Sequence, residues 1–332
     1  KAINSSLESL QCWESWALEH PNPTVTKQYI TDGIYHWESK NSLYLPLIVI
    51  HKEDNKIICS TSLTKSKDPN TPYYELAYWM ESKYQGQGLA TEIANAVTRF
   101  ALSANNIKRV QIRSEINNIK SIAVAKRCGF KQEIILKNTY INSKTRLPQD
   151  VCTYSCCDIT QLTELKTTIY QKDSFTQPTL NSTNITDINN TKKNLASKNP
   201  NPIKLLETNK LIFIPGKNNE LRYIVLDKKK IEVIGQLWCK LRGYSIPYNA
   251  IGYKFNPNLD NSNYTQEAIA EFTKYAFNDL RCKHLCIEAS KQNLAKIDLA
   301  KNLGFSHEGT LQNHALSPNN HQLIATELFS MN

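Results

Sequence analysis

No stretch of this 332-residue chain approaches the ~20 consecutive apolar residues that a helix needs to cross a bilayer. The nearest candidate, LYLPLIVI, has eight residues and contains Pro46. A basic-then-apolar signal segment is lacking as well. The sequence opens at Lys1 rather than Met, which leaves room for a native N-terminus upstream. A membrane partner is therefore not expected.

A disulfide framework is also lacking. Nine cysteines, an odd number with Cys156 and Cys157 adjacent, do not staple a chain of this length. Free thiols in a reducing cytoplasm are the reading. Metal-ligand spacing is absent: Cys282 and Cys286 would share a face only on a helix, and their segment reads as a strand. His314 and His321 fall in a loop-like stretch with no partner at ligand spacing, so no metal is expected. Clustered basic residues interleaved with aromatics are missing too. The formal net charge is +10, spread as +4 over residues 1–160 and +6 over 161–332. Such an excess suits a phosphate-bearing ligand, an acidic partner or an ordinary basic surface, and argues against dedicated nucleic-acid binding.

What is present is a repeat. Residues from about 159 to 202 are rich in Asn, Thr, Ser, Lys and Pro and lack apolar periodicity, the composition of a linker, with a short helix expected around 159–171. On either side the sequence repeats at a constant offset of 175. NNIKSIAVAKRCGF (117–130) lies over QNLAKIDLAKNLGF (292–305), and YELAYWM (74–80) over NAIGYKF (249–255). The register holds from residue 57 to 130 without an insertion, which indicates two copies of one α/β domain. Within the first copy LPLIVIH, NKIICSTSL and YYELAYWM read as strands separated by turn residues. A helix over 88–104 follows, with apolar residues at helical spacing, then the strand RVQIRSE. A second helix starts at Asn118 as N-cap and ends at Gly129, and two more strands close the copy.

This order resembles the GCN5-related N-acetyltransferase (GNAT) superfamily, and within it the RimJ/RimL-type ribosomal-protein N-acetyltransferases. The motif Gln85-Gly86-Gln87-Gly88-Leu89-Ala90, followed by Thr91, matches the Q/R-x-x-G-x-G/A signature. Glu75, Tyr78 and Trp79 match an E-x-x-Y-W strand ten residues upstream, and Asn118, Ser121 and Gly129-Phe130 match N-x-x-S with its later G-F. The likeness covers about 7–158. SLESLQCWESWA resembles the family's early helix, and the strand that normally precedes it is missing. The resemblance implies an α/β (α+β) protein of two tandem domains, each a mixed, mostly antiparallel central sheet flanked by helices. The implied division is 1–158, a linker over 159–202, and 203–332.

The implied co-substrate is acetyl-CoA, with no metal. Its pyrophosphate needs convergent backbone N–H donors, which a helix N-terminus supplies and glycines leave accessible. Gln87, Gly88, Leu89 and Ala90 are the expected cradle; Gly86 and Gly88 as a merely mobile loop is the alternative. The strand end at Tyr78, Trp79 and Met80 is expected to splay from its neighbour and pair with the pantetheine arm. Asn118 would contact that arm, cap its helix, or both. Transfer is direct, with a neutral amine attacking the thioester. Glu75 is the candidate base through a water, or else a surface carboxylate. The tyrosine that many relatives use as acid is replaced by Ala125, which leaves Ser121 as the candidate acid, or else a locally bonded residue of the first helical turn. Cys128 suggests covalent catalysis, but a cysteine at that helix end is expected to be packed.

At offset 175 both glycines become Asn, Gln85 becomes Asp260, Glu75 becomes Ala250 and Ser121 becomes Lys296. The second copy keeps the fold and loses the chemistry; it packs on the first, shapes its acceptor site or binds a partner. The expected function is acetyl transfer to a protein or peptide amine, in the cytoplasm. Nucleic acid enters only through a ribosomal target. The alternatives are a small-molecule acceptor (aminoglycoside, polyamine or amino acid) and a non-catalytic acetyl-CoA sensor or scaffold.

Overall fold

The computed structural model describes residues 1–20, 22–39, 42–104, 107–165, 167, 206–215, 221–242, 248–256, 262–317 and 320–332. The first copy begins with helices α1 (Leu7–Gln11) and α2 (Pro23–Glu38), then strands β1 (Tyr44–His51), β2 (Lys56–Lys65) and β3 (Tyr74–Met80). Helix α3 (Leu89–Ala104), strand β4 (Val110–Glu115), helix α4 (Ile119–Cys128) and strands β5 (Lys131–Ile141) and β6 (Pro148–Cys156) complete it. The sheet order is β1-β2-β3-β4-β6-β5, antiparallel except for the β3–β4 pair.

The second copy repeats this order. Hairpin β7 (Leu206–Glu207) and β8 (Leu211–Pro215) leads into β9 (Arg222–Asp227), β10 (Glu232–Arg242) and β11 (Tyr248–Phe255). Helix α5 (Ser262–Asn278), β12 (Leu285–Ser290), α6 (Leu294–Asn302), β13 (Ser306–Leu316) and β14 (Leu323–Met331) follow. Strands β4, β5 and β6 map onto β12, β13 and β14 at the 175-residue offset with identical ends. The copies differ at one sheet edge: hairpin β7–β8 extends the second sheet beyond β9, whereas helix α2 packs on edge strand β1 in the first.

Local chemistry explains these boundaries. The Asn118 side chain accepts a hydrogen bond from the Ser121 N–H and starts α4. Gly129, at φ +93°, ends it, with the Phe130 N–H returning to the Ala125 carbonyl. A Cβ at Gly129 would lie 2.0 Å from the Gln161 carbonyl oxygen, so the segment after β6 closes over this glycine. Buried Leu162 and the Thr163 carbonyl, which accepts from Asn95 and Arg99 of α3, hold that segment in place.

Three expectations change. The helix expected around 159–171 is one 3-10 turn, Ile159–Gln161, and residue 166 and those from 168 to 171 lie outside the described residues. The early helix is five residues, and the 16-residue α2 behind it, which the sequence reading did not include, carries Val25, Tyr29, Ile30, Ile34 and Trp37 at helical spacing but buries none of its residues. It forms because the Asn22 side chain accepts from the Thr24 N–H and Pro23 sits in the first turn. His314 is not in a loop: it lies buried on β13, its ring 5.8 Å from that of Tyr73.

Each sheet packs its helices over its own apolar core, and the two sheets meet along β5 and β13. There Ile134, Leu136, Ala250, Cys286, Leu311 and Leu328 form a shared apolar cluster. Gly309 of β13 permits the approach: its φ is +147°, and a Cβ would lie 2.3 Å from the Glu133 carbonyl oxygen.

Candidate active site

Strands β3 and β4 pair only at Tyr74–Val110 and Glu75–Gln111, then diverge. Their carboxyl ends thus open a notch, the place where parallel strands commonly receive ligands. The notch is part of a cleft of about 1370 Å³ whose walls come from α1, β3, the turn before α3, β4, α4 and the end of β5. Glu75, Tyr78, Trp79, Met80, Gln85, Gly86, Gly88, Ala90, Thr91, Asn118 and Ser121 all line it. Of the residues expected from the sequence, only Gln87 and Leu89 do not. The Gln87 side chain instead donates to the Lys83 carbonyl, and Leu89 packs on the cluster around Ile58 and Met80.

Gly86 and Gly88 have φ of +80° and +83°, the left-handed region where a side chain is strained. A Cβ at either would meet nothing within 4 Å, so the space above both is open. The Gly88 carbonyl accepts from the Thr91 and Glu92 N–H groups, which starts α3 and leaves the N–H groups just before Thr91 without intrahelical acceptors, in a turn that lines the cleft. Tyr84 anchors this turn from below, its hydroxyl donating to Asp54 and helping to hold that carboxyl well below the usual range.

Two cations complete this end. Lys120 donates to the Gln85 side chain at 3.1 Å and Arg127 to the Thr91 hydroxyl at 3.2 Å. They are seven residues apart on α4, hence on one face, a spacing that sequence reading could have used.

The opposite end is acidic and aromatic. Trp16 donates to Glu14 at 2.8 Å, and its ring lies 6.0 Å from that of Trp79. Glu115 is buried and accepts from Asn142 at 2.9 Å. Burial pushes both carboxyls above their usual range; the Glu14 shift is opposed by the Trp16 hydrogen bond and increased by Glu115. Neither carboxylate was among the residues expected to form the site. The alternation in RVQIRSE is the sequence signal for Glu115, which shares one face with Gln111 and Arg113 of β4 and with Arg109 just before it.

Between the two ends stand the reacting-group candidates. Glu75 accepts from the Gln111 side chain at 3.1 Å. The Ser121 and Tyr78 hydroxyl oxygens are 3.3 Å apart, and burial pushes the Tyr78 hydroxyl up to about 12. Cys128 is fully buried and donates to the Thr91 carbonyl; burial raises its thiol to about 11, so it stays protonated and packed.

Among the described residues the second copy lacks this arrangement. Ala250 is buried in the cluster between the sheets, and the Lys296 ammonium sits 5.0 Å over the Tyr253 ring, where Ser121 meets Tyr78 in the first copy. Asp260 and Asn261 lie outside the described residues, and helix α5 already includes position 263, the counterpart of Gly88. Among the described residues no group of three or more His, Cys, Asp or Glu is placed to hold a metal ion, and no helix is long and apolar enough to cross a membrane.

Comparison with known proteins agrees with this architecture. The family described as acetyltransferase (GNAT) domain matches the chain twice, over residues 3–131 and 184–306. The chain belongs to the GNAT acetyltransferase family. It is similar to the ribosomal-protein-serine acetyltransferase of Escherichia coli K12, 30% identical over 94 residues, covering 28% of this chain and 51% of that protein. The chain thus spans about half the length of that curated relative. Among solved structures it is similar to the microcin C7 self-immunity acetyltransferase in complex with acetyl-CoA and AMP, at 24% identity and TM-score 0.42, covering 47% of this chain and 83% of that one. It is also similar to the RimL ribosomal L7/L12 acetyltransferase in complex with coenzyme A, at 18% identity and TM-score 0.43, covering 48% and 85%.

Proposed function

We propose that this protein is an acetyl-CoA-dependent N-acetyltransferase that modifies a primary amine of a protein or peptide N-terminus. The observation that carries the reading is the polarity of one cleft. A left-handed glycine turn with a cationic rim lies at one end, and buried carboxylates with aromatic rings lie at the other. The name of the ribosomal-protein-serine acetyltransferase relative supports an amine on a protein.

The residues present fit the co-substrate. The N–H groups of Gln87, Gly88, Leu89 and Ala90, flanked by Gln85, Gly86 and Thr91, would receive the pyrophosphate, with Lys120 and Arg127 beside them. The unpaired edge of β3 at Tyr78, Trp79 and Met80 would hold the pantetheine arm, and Asn118, whose side-chain carbonyl caps α4, has its NH₂ left to donate. Acetyl-CoA supplies the acetyl thioester. The amine forms the C–N bond as the C–S bond breaks, and the sulfur leaves with the electron pair. Glu75 takes the ammonium proton, directly or through a water, and the Ser121 hydroxyl, beside Tyr78, gives a proton to the thiolate and regains one from solvent as Glu75 releases its own, so that one proton passes net from amine to sulfur. The packed, protonated Cys128 supports the direct route.

The same reading places the active domain at 1–158, a linker at 159–202 and a degenerate domain at 203–332, in a cytoplasmic protein. A small cationic amine is the second reading for the acceptor, favoured by Glu14 and Glu115. The test is thiol release from acetyl-CoA across a panel of peptides and small amines. Release with peptides, abolished together with acetyl-CoA binding in Gly88→Asp, is expected. Binding without release across the panel would favour a sensor, and unchanged binding by Gly88→Asp would sink the cradle.

A further inference from the structure

A continuous hydrogen-bond chain links the candidate base of the first copy to the main chain of the second. Gln111 Nε2 donates to Glu75 Oε2 at 3.1 Å, and Gln111 Oε1 accepts from Arg109 Nη2 at 3.2 Å. Arg109 is fully buried and grips Glu133 with both terminal nitrogens, at 3.0 and 2.6 Å. Its Nη1 also donates to the Gln312 carbonyl on β13 at 2.6 Å, while the Gln312 N–H donates to Glu133 Oε1 at 2.9 Å.

We infer that the second copy is a positioning element of the active site, holding Glu75 in place through Gln312, Arg109 and Gln111. The inference rests on the reading of Glu75 as base.

Three observations carry it. The first is orientation. A guanidinium only donates, so Arg109 forces the Gln111 amide to turn its oxygen inward and its NH₂ toward Glu75. Glu75 Oε2 is then engaged, and Oε1 has no partner among the described contacts. The second is cost. Burying an Arg–Glu pair carries a desolvation penalty that pairing alone often fails to offset, so such a pair is weak evidence of a device for stability. Here it fixes a geometry, as a single bidentate fork with two further acceptors. The third is asymmetry. At the 175-residue offset Arg109, Gln111 and Glu75 become His284, Cys286 and Ala250, and the last two lie in the apolar cluster between the sheets. Support therefore runs one way, from the copy without the glycine turn to the copy with it. All three Gln312 contacts, including the Cys157 thiol that also donates to its carbonyl at 3.7 Å, are to its main chain, so they depend on where β13 lies, and Gly309 sets that closeness.

The experiment compares the parent, Gln111→Leu, Gly309→Ala and Glu75→Gln in the full chain. It measures kcat with a peptide amine and, separately, the dissociation constant of acetyl-CoA. Misplacing a proton-accepting group by about an ångström can cost on the order of a hundredfold in rate. We expect Gln111→Leu and Gly309→Ala each to lower kcat at least tenfold. The acetyl-CoA dissociation constant should stay within twofold of the parent. In a Glu75→Gln background neither should lower kcat further. Full kcat in either variant would overturn the inference, as would a parallel loss of acetyl-CoA affinity, or an undiminished effect without Glu75. A parent that turns over no amine would instead sink the function itself, and the two failures are thereby distinguished.

Discussion

Glu115 shows how a single residue can trade stability for a site. It is buried in the acidic end of the cleft, accepting one side-chain hydrogen bond from Asn142, and burial holds its carboxyl above the usual Glu value of about 4.3. A carboxyl whose folded value is raised favours the fold fully below the unfolded value, and loses that contribution as pH rises through the folded one. Glu115→Gln keeps an acceptor for Asn142 and removes the charge. Its melting temperature should exceed the parent's at pH 7 and converge with it below about pH 4. The same variant should raise the KM for a cationic acceptor. A melting difference that ignores pH would show that desolvation of this charge is not the cause. Arg109 and Gln111 belong to the same stripe on β4, and their roles come from partners that no local pattern announces.

At the scale of elements, the two kinds of glycine separate. Gly129 and Gly86 both have a left-handed backbone, where a Cβ costs roughly 1–2 kcal/mol. At Gly129 the added methyl also collides with the Gln161 carbonyl, whereas at Gly86 it enters open space. Chemical denaturation of Gly129→Ala should therefore show a loss above about 2 kcal/mol, and Gly86→Ala a loss near 1 kcal/mol with a larger effect on acetyl-CoA affinity. Equal destabilisation with no change in affinity would mean that both glycines serve the fold alone. The strands and the helices α3 and α4 were legible because caps, turn residues and apolar spacing act within a few residues. Helix α2 was missed although Val25, Tyr29, Ile30, Ile34 and Trp37 recur at helical spacing; Thr24, Val25, Thr26, Ile30, Thr31 and Ile34 are β-branched, which lowers helix propensity and masks the signal.

For the whole molecule, the joint between the sheets is the feature to test. Leu311 is 6% exposed in a cluster drawn from β5, β11, β12, β13 and β14. Leu311→Ala should cost about 2–5 kcal/mol in global stability by chemical denaturation. A change within ±0.5 kcal/mol, the range of a surface substitution, would mean that the copies do not depend on this contact.

The sequence by itself determined the repeat, the fold of each copy, the family, and the glycine turn with its helix. Each depends on residue type at short, fixed spacing. Tertiary structure alone decided that Lys120 and Arg127 flank the turn, that Glu14 and Glu115 close the other end, and that β13 lies against the Arg109–Glu133 pair. Those residues come together only when β3 and β4 splay and two sheets 175 residues apart press their edges together. Such long-range packing of side chains depends on how faces fit, and the linear pattern of residue types does not encode that fit.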